Sequence, residues 1–109
     1  MVAYVISEVE VLDEDQAGRY RELAAASIAR HGGRYLARGA APLVPEGARS
    51  AGSRIVIVEF PTMARLLDWY ASADYAPARA IRETGLSRRL LFVDGGPAAP
   101  GLGWPEDSP

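Results

Sequence analysis

Cysteine is absent from the chain, which excludes disulfides, thiolate nucleophiles and cysteine-ligated metal centres. Histidine occurs once, at His31, too sparse a supply for a transition-metal site, and no metal is expected. An excess of positive charge is missing too: 12 basic residues stand against 14 acidic ones, a formal net charge of -2. A nucleic-acid partner, which needs a concentrated basic face, is therefore not expected. No apolar run approaches the ~20 residues that cross a bilayer, so no membrane partner is expected either. The start, "MVAYVISEVEV", lacks a basic segment followed by a cleavable apolar one, and a cytoplasmic protein is the expectation. No nucleotide-binding glycine loop follows a strand: Gly32-Gly33 reads as a helix end, and "GGPAAPG" opens no helix. No serine stands in a nucleophile elbow. No cofactor is expected.

What is present suits one soluble domain, with 49% hydrophobic and 24% charged residues in 109. The domain is expected over residues 1–95. Residues 96–109, "GPAAPGLGWPEDSP", form a Gly/Pro-rich tail in which Trp104 is either a docking contact or part of a disordered end. Ala3 to Val11 alternates and reads as a strand, with Val5, Val9 and Val11 on one face and Ser7 among them. Tyr4, Ile6, Glu8 and Glu10 fall on the other face. "LDEDQAGRYRELAAASIAR" reads as a helix capped by Asp13, with Ala17, Tyr20, Ala24 and Ile28 at helical spacing, ending at Gly32 or Gly33. "RYLAR" is a second strand, "GAAPLVPEGARSAG" a loop and "SRIVIVEF" a third strand. Pro61 and Thr62 open a second helix with Met63, Leu66, Leu67 and Tyr70 as its buried stripe. Ser72 and Asp74 break it, a short helix with Pro77 in its first turn runs to Gly85, and "RRLLFVDG" is the fourth strand.

The order β-α-β-β-α-β predicts an α+β, ferredoxin-like fold, with both helices on one face of a four-stranded sheet and the first and third strands adjacent and parallel. The face away from the helices carries Tyr4, Ile6, Ile55 and Ile57. An apolar face of this kind needs a cover, and a homodimer packed sheet to sheet is the economical one. It would also leave a ligand-sized cavity between each sheet and its covering elements.

"HGGRYLARG", "IVIVEFPTMARLLDWYASADYAPARAIR" and "LLFVDG" together resemble the domain-of-unknown-function family 1330, of the dimeric α/β-barrel superfamily. The resemblance covers Val2 to Gly95. It is most specific at His31 to Gly33, at Glu59 to Pro61 and from Trp69 to Tyr75. It implies a ferredoxin-like sandwich forming a dimeric α/β barrel. It does not choose a reaction, because the superfamily includes cofactor-free monooxygenases, isomerases, dehydratases, haem-degrading enzymes and binding proteins without catalysis.

Two residues are candidate catalysts. His31, whose side chain titrates near neutrality, is either a general acid or base beside the cavity or a helix C-terminal residue bonded to free carbonyls. Glu59 interrupts an apolar strand and shares a face with Glu8. The two carboxylates would either couple, one acting as acid and one as base, or pair with arginines such as Arg34, Arg38 or Arg54. Arg38 would hold an anionic substrate group or protect an edge strand. Tyr4, Tyr35, Tyr70 and Tyr75, with Trp69, would line a pocket for a planar molecule or serve as core and dimer contacts. The expectation is a small-molecule-binding homodimer acting as a cofactor-independent acid-base enzyme of isomerase, cyclase or dehydratase type. The alternatives are a cofactor-free monooxygenase on an activated aromatic, or a non-catalytic ligand-binding or structural dimer.

Overall fold

Alternation of apolar and polar residues in four segments produces four strands, and the computed structural model joins them into one sheet. It describes residues 1–48, 52–81 and 85–95. The tail with Trp104 lies outside the described residues. The elements run β1 (Ala3–Val11), α1 (Glu14–Arg30), β2 (Arg34–Ala40), β3 (Arg54–Phe60), α2 (Met63–Ala71), α3 (Ala76–Arg79) and β4 (Leu86–Asp94). The sheet order is β2-β3-β1-β4. This is the expected α+β, ferredoxin-like arrangement, with one correction. β1 and β3 are adjacent but antiparallel, because a single reversal between β2 and β3 turns β3 against both of its neighbours.

Local chemistry fixes the helix ends. Asp13 is the N-cap of α1, its carboxylate accepting from the Gln16 N–H at 3.0 Å. At the other end the Gly32 N–H bonds the Ala29 carbonyl at 3.2 Å and the Gly33 N–H bonds the Ile28 carbonyl at 2.9 Å. Those two bonds are a Schellman closure, and Gly32 supplies the left-handed residue it requires at φ 79°. Thr62 caps α2 by accepting from the Arg65 N–H at 3.1 Å. The expected continuation of α3 to Gly85 does not occur: α3 stops at Arg79, Ile81 is already irregular, and β4 begins at Leu86 rather than Arg88. Among the described residues no helix is long and apolar enough to cross a membrane.

The core lies between the helices and one face of the sheet. Ala3 and Val5 of β1, Val58 and Phe60 of β3, Ala24 and Ile28 of α1, and Leu66 and Trp69 of α2 are buried there with Tyr75. The stripe expected on α2 is corrected at one position. Leu67 is 50% exposed, and Trp69, three residues after Leu66, carries the inward face. The Trp69 ring centroid lies 5.4 Å from that of Phe60 and 4.4 Å from that of Tyr75. Its indole N–H donates to the buried Ser27 hydroxyl at 2.9 Å, and that hydroxyl donates to the Ala24 carbonyl at 2.8 Å. The opposite sheet face carries Tyr4, Ile6, Ile55 and Ile57, together with Leu91 and Val93, which are 43% and 41% exposed.

Two glycines provide a test of the packing. A Cβ at Gly33 would sit 2.7 Å from the Ile28 Cγ2 and 2.9 Å from two Phe60 ring carbons. Gly33→Ala is therefore expected to lower the stability by about 1–3 kcal/mol. A Cβ at Gly18, inside α1, meets nothing nearer than the Arg21 Nη2 at 3.9 Å. Gly18→Ala should instead raise the stability by about 0.5–1 kcal/mol. Urea unfolding of both variants beside the parent measures the two signs.

Candidate functional site

Small residues on the inner face of α1 leave space above the sheet. Ala17 and Ala24 face the strands where longer side chains would fill the gap, and a cavity of about 400 Å³ opens there. Its floor is the stripe Val5, Ser7, Val9 and Val11 of β1, flanked by Val56 and Val58 of β3 and Leu90 of β4. Trp69 closes the inner side, and Tyr20, Tyr35 and three arginines complete the lining.

The lining from β2 depends on two bulges. Tyr35 faces Val58, Ala37 faces Ile57, Arg38 faces Val56 and Ala40 faces Ile55, so Leu36 and Gly39 are extra residues without a partner on β3. Gly39 takes the left-handed conformation at φ 85°. Regular alternation would place Tyr35 and Arg38 on opposite faces. The bulge at Leu36 places both on the cavity face, and the Arg38 guanidinium lies 4.4 Å from the centroid of the Tyr35 ring.

Charge at the rim is unequally compensated. Arg21 is 3.6 Å from Glu14, the one carboxylate in the lining. Arg38 and Arg54 have no carboxylate within ion-pair distance among the described residues. Deeper in, the Tyr20 and Tyr75 hydroxyls are 2.8 Å apart. Arg88 lies over the Tyr20 ring at 4.6 Å while its guanidinium donates to the Ile81 and Arg79 carbonyls. Burial pushes the Tyr20 phenol far above its ordinary value, and the neighbouring Tyr75 adds to the shift. Burial also raises Tyr75 and Tyr35, in the latter case against the lowering effect of Arg38. These phenols stay protonated and act as hydrogen-bonding groups.

The residues singled out in the sequence separate into three places. Tyr35 and Arg38 line the cavity. Tyr75 is fully buried behind it, bonded to Tyr20, and Tyr70 packs on Phe92 with ring centroids 5.3 Å apart. His31, Glu59 and Tyr4 are outside the cavity lining. His31 is the C-cap of α1, and its Nδ1 donates to the Ser27 carbonyl at 2.9 Å. Glu59 is on the face away from the helices and accepts from the Arg34 Nε at 2.8 Å. Glu8 is on the same face but bonded to Arg89 at 2.7 Å. The two carboxylates do not meet, because Tyr4 is the partner of Glu59 and Ile55 the partner of Glu8. Four residues of strand separate them, roughly 13 Å. Two further lining residues, Ser7 and Tyr20, carry polar chemistry to which the sequence gives no role, and Arg54, read there only as a carboxylate partner, lines the cavity as well. Their signals are a serine in a valine stripe, a tyrosine between two inward alanines, and an arginine opening a strand. Among the described residues no three His, Asp or Glu side chains gather into a metal-holding group.

The fold is shared with solved structures of low identity. A protein of unknown function from Rhodopseudomonas palustris is 17% identical with a TM-score of 0.71, over 91% of this chain and 84% of that one. A conserved protein of unknown function from Bacteroides thetaiotaomicron is 15% identical with a TM-score of 0.61, over 85% and 96%. SnoaB, a cofactor-independent oxygenase from Streptomyces nogalater, is 12% identical with a TM-score of 0.62, over 92% and 98%. No curated protein matches the chain. The family described as "Domain of unknown function (DUF1330)" matches residues 2–96.

The buried phenols set an alkaline limit. Above the ordinary phenol value of 10.0 the unfolded chain loses protons that the native chain keeps at Tyr20, Tyr35 and Tyr75. The native state then binds more protons than the unfolded state, so stability falls as pH rises. Urea midpoints should be level between about pH 7 and pH 9 and fall from about pH 10 upward. In the double variant Tyr20→Phe, Tyr75→Phe the fall should be shallower. A midpoint in the parent that holds steady through this range would contradict the assignment.

Proposed function

We propose that this chain, which belongs to the DUF1330 family and has an α+β ferredoxin-like fold, binds a small, largely apolar anion beneath α1 and carries out acid-base chemistry on it without a cofactor. One observation supports this reading above the others: an apolar cavity of about 400 Å³ that ends at guanidinium groups, two of them without a carboxylate partner among the described residues. An aliphatic floor gives affinity by excluding water, and Arg38 and Arg54 give orientation by receiving the charge.

In this mechanism Arg38, held over the Tyr35 ring, and Arg54 bind the anionic end of the substrate. The Tyr20 and Tyr75 hydroxyls share one hydrogen bond that either can donate, and with Tyr75 as its donor the Tyr20 O–H is left to donate into the cavity toward a substrate carbonyl. As Glu14, the one carboxylate of the lining, takes the proton from the carbon beside that carbonyl, the carbonyl takes on enolate character, and a hydrogen bond from a protonated phenol in a site of low dielectric stabilises it. Isomerisation, cyclisation and dehydration all pass through such a species. His31 and Glu59 have no role in this reading, since the Ser27 carbonyl and Arg34 already occupy them. SnoaB is described as a cofactor-independent oxygenase, and oxygenation here would use the same enolate as the electron donor to oxygen. Oxygen uptake during turnover distinguishes that case from the acid-base one.

The active form in this proposal is a homodimer joined through the uncovered sheet face, a dimeric α/β barrel. Support comes from Ile6, Ile55, Ile57 and the exposed Leu91 and Val93, an apolar surface that a second copy of the same face would remove from water.

Native mass spectrometry of the protein from its own cells tests both parts. The expected species has twice the 11.7 kDa chain mass and releases one small organic acid per chain on denaturation. Ile57→Asp should give a monomer in light scattering. A monomeric parent overturns the dimer. A parent that releases nothing and fails to bind 2-naphthoate, added as an aromatic acid, overturns the binding reading.

A further inference from the structure

Ser7 breaks an otherwise aliphatic floor. Its neighbours on the cavity face are Val5, Val9 and Val11 of its own strand, and its partners across the sheet are Val56 and Leu90. The residue is only 5% exposed, yet its hydroxyl makes no hydrogen bond to another described residue. Among the described residues no side-chain oxygen or nitrogen that is sealed from the surroundings lacks a partner. The Ser7 hydroxyl is therefore open to the cavity. A hydroxyl in that position costs stability relative to an apolar group of the same shape unless something bonds to it.

The register relates Ser7 to the charged rim. Val56 is the partner of Ser7 on one side and of Arg38 on the other, so Ser7, Val56 and Arg38 form one row across the sheet. Two strand spacings separate the ends of that row, roughly 9–10 Å. Arg54 faces Val9, two positions along β1 from Ser7, and brings to the same lining a second guanidinium without a carboxylate partner among the described residues. Between Ser7 and Arg38 the sheet row holds only Val56, which offers no polar group to a substituent in the middle of that row.

We propose that the ligand is a carboxylic acid built on a rigid, two-ring-sized apolar frame. Its carboxylate is held by Arg38 and Arg54, and a hydroxyl or carbonyl at its far end is bonded to Ser7. This rests on the reading of the cavity as a ligand site and adds to it the class of molecule and the residue that selects it. Ser7 both donates and accepts, so it takes either substituent, and it discriminates against acids whose far end is bare.

Titration calorimetry with 6-hydroxy-2-naphthoate, 2-naphthoate and 2-naphthol tests the proposal. The parent should bind 6-hydroxy-2-naphthoate about tenfold more tightly than 2-naphthoate. Ser7→Ala should remove that preference, leave 2-naphthoate affinity unchanged, and unfold at the same or a higher urea concentration than the parent. Arg38→Gln with Arg54→Gln should weaken both acids by at least about tenfold and leave 2-naphthol unchanged. Binding of both acids with a preference that survives Ser7→Ala, or with none in the parent, overturns the assignment of Ser7 and leaves the cavity reading intact. Failure of all three compounds to bind the parent overturns both. A loss of stability in Ser7→Ala would show the serine to be structural and also overturn its assignment.

Discussion

A tryptophan can be buried only if its indole N–H finds an acceptor, and here that acceptor is a serine on another helix. The Trp69–Ser27 bond joins α2 to α1 at the centre of the core, and Ser27 passes the bond on to the backbone of its own helix. Trp69 also packs on Phe60 of β3, so one side chain sets the spacing between both helices and the sheet. With that spacing held by the large ring, the small residues Ala17 and Ala24 elsewhere on α1 do not draw the helix down onto the strands. The cavity is the volume left between a spacing set by Trp69 and side chains too short to fill it.

The two faces of the sheet have different chemistry. The face beneath α1 carries aliphatic residues with arginines at one end, a composition suited to an amphipathic molecule. The other face carries isoleucines, with the Glu59–Arg34 and Glu8–Arg89 pairs among them. Exposed pairs of this kind contribute little to stability, and their effect is to neutralise two carboxylates that stand among isoleucines. Glu59 and Glu8 are well placed for that role, and four residues of strand keep them apart.

Much of the fold was legible in the sequence because period-two and helical patterns survive in nearly every element. β1, α1 and β3 were read within a residue or two of their observed limits. Legibility failed where the outcome depends on tertiary structure. Leu67 and Trp69 are equally apolar, and only contact with Phe60 and Ser27 decides which of them turns inward. The carboxylate pair failed because strand direction and register place Glu8 and Glu59 four residues apart, information that no single strand contains. Arg38 and Tyr35 were both chosen as ligand-binding residues, although alternation alone separates them. Ser7 and Tyr20 carry no ligand role in the sequence since each is unremarkable within its own segment, and Arg54 stands there only as a partner for the carboxylates. A clearer compositional sign was available: all 12 basic residues of the chain are arginines, the side chain best matched to a planar oxyanion.

The bulged edge strand has a consequence for how this chain should be set against others. Leu36 and Gly39 occupy length along β2 without occupying a place in the ladder. A related chain could gain or lose a residue at either point and still present the same two side chains to the cavity mouth. Correspondence along this strand therefore follows the partner across the ladder, Val58 for Tyr35 and Val56 for Arg38, and not the position number. Comparisons that count residues from His31 would assign the mouth of the cavity to the wrong side chains in any relative whose β2 is straight.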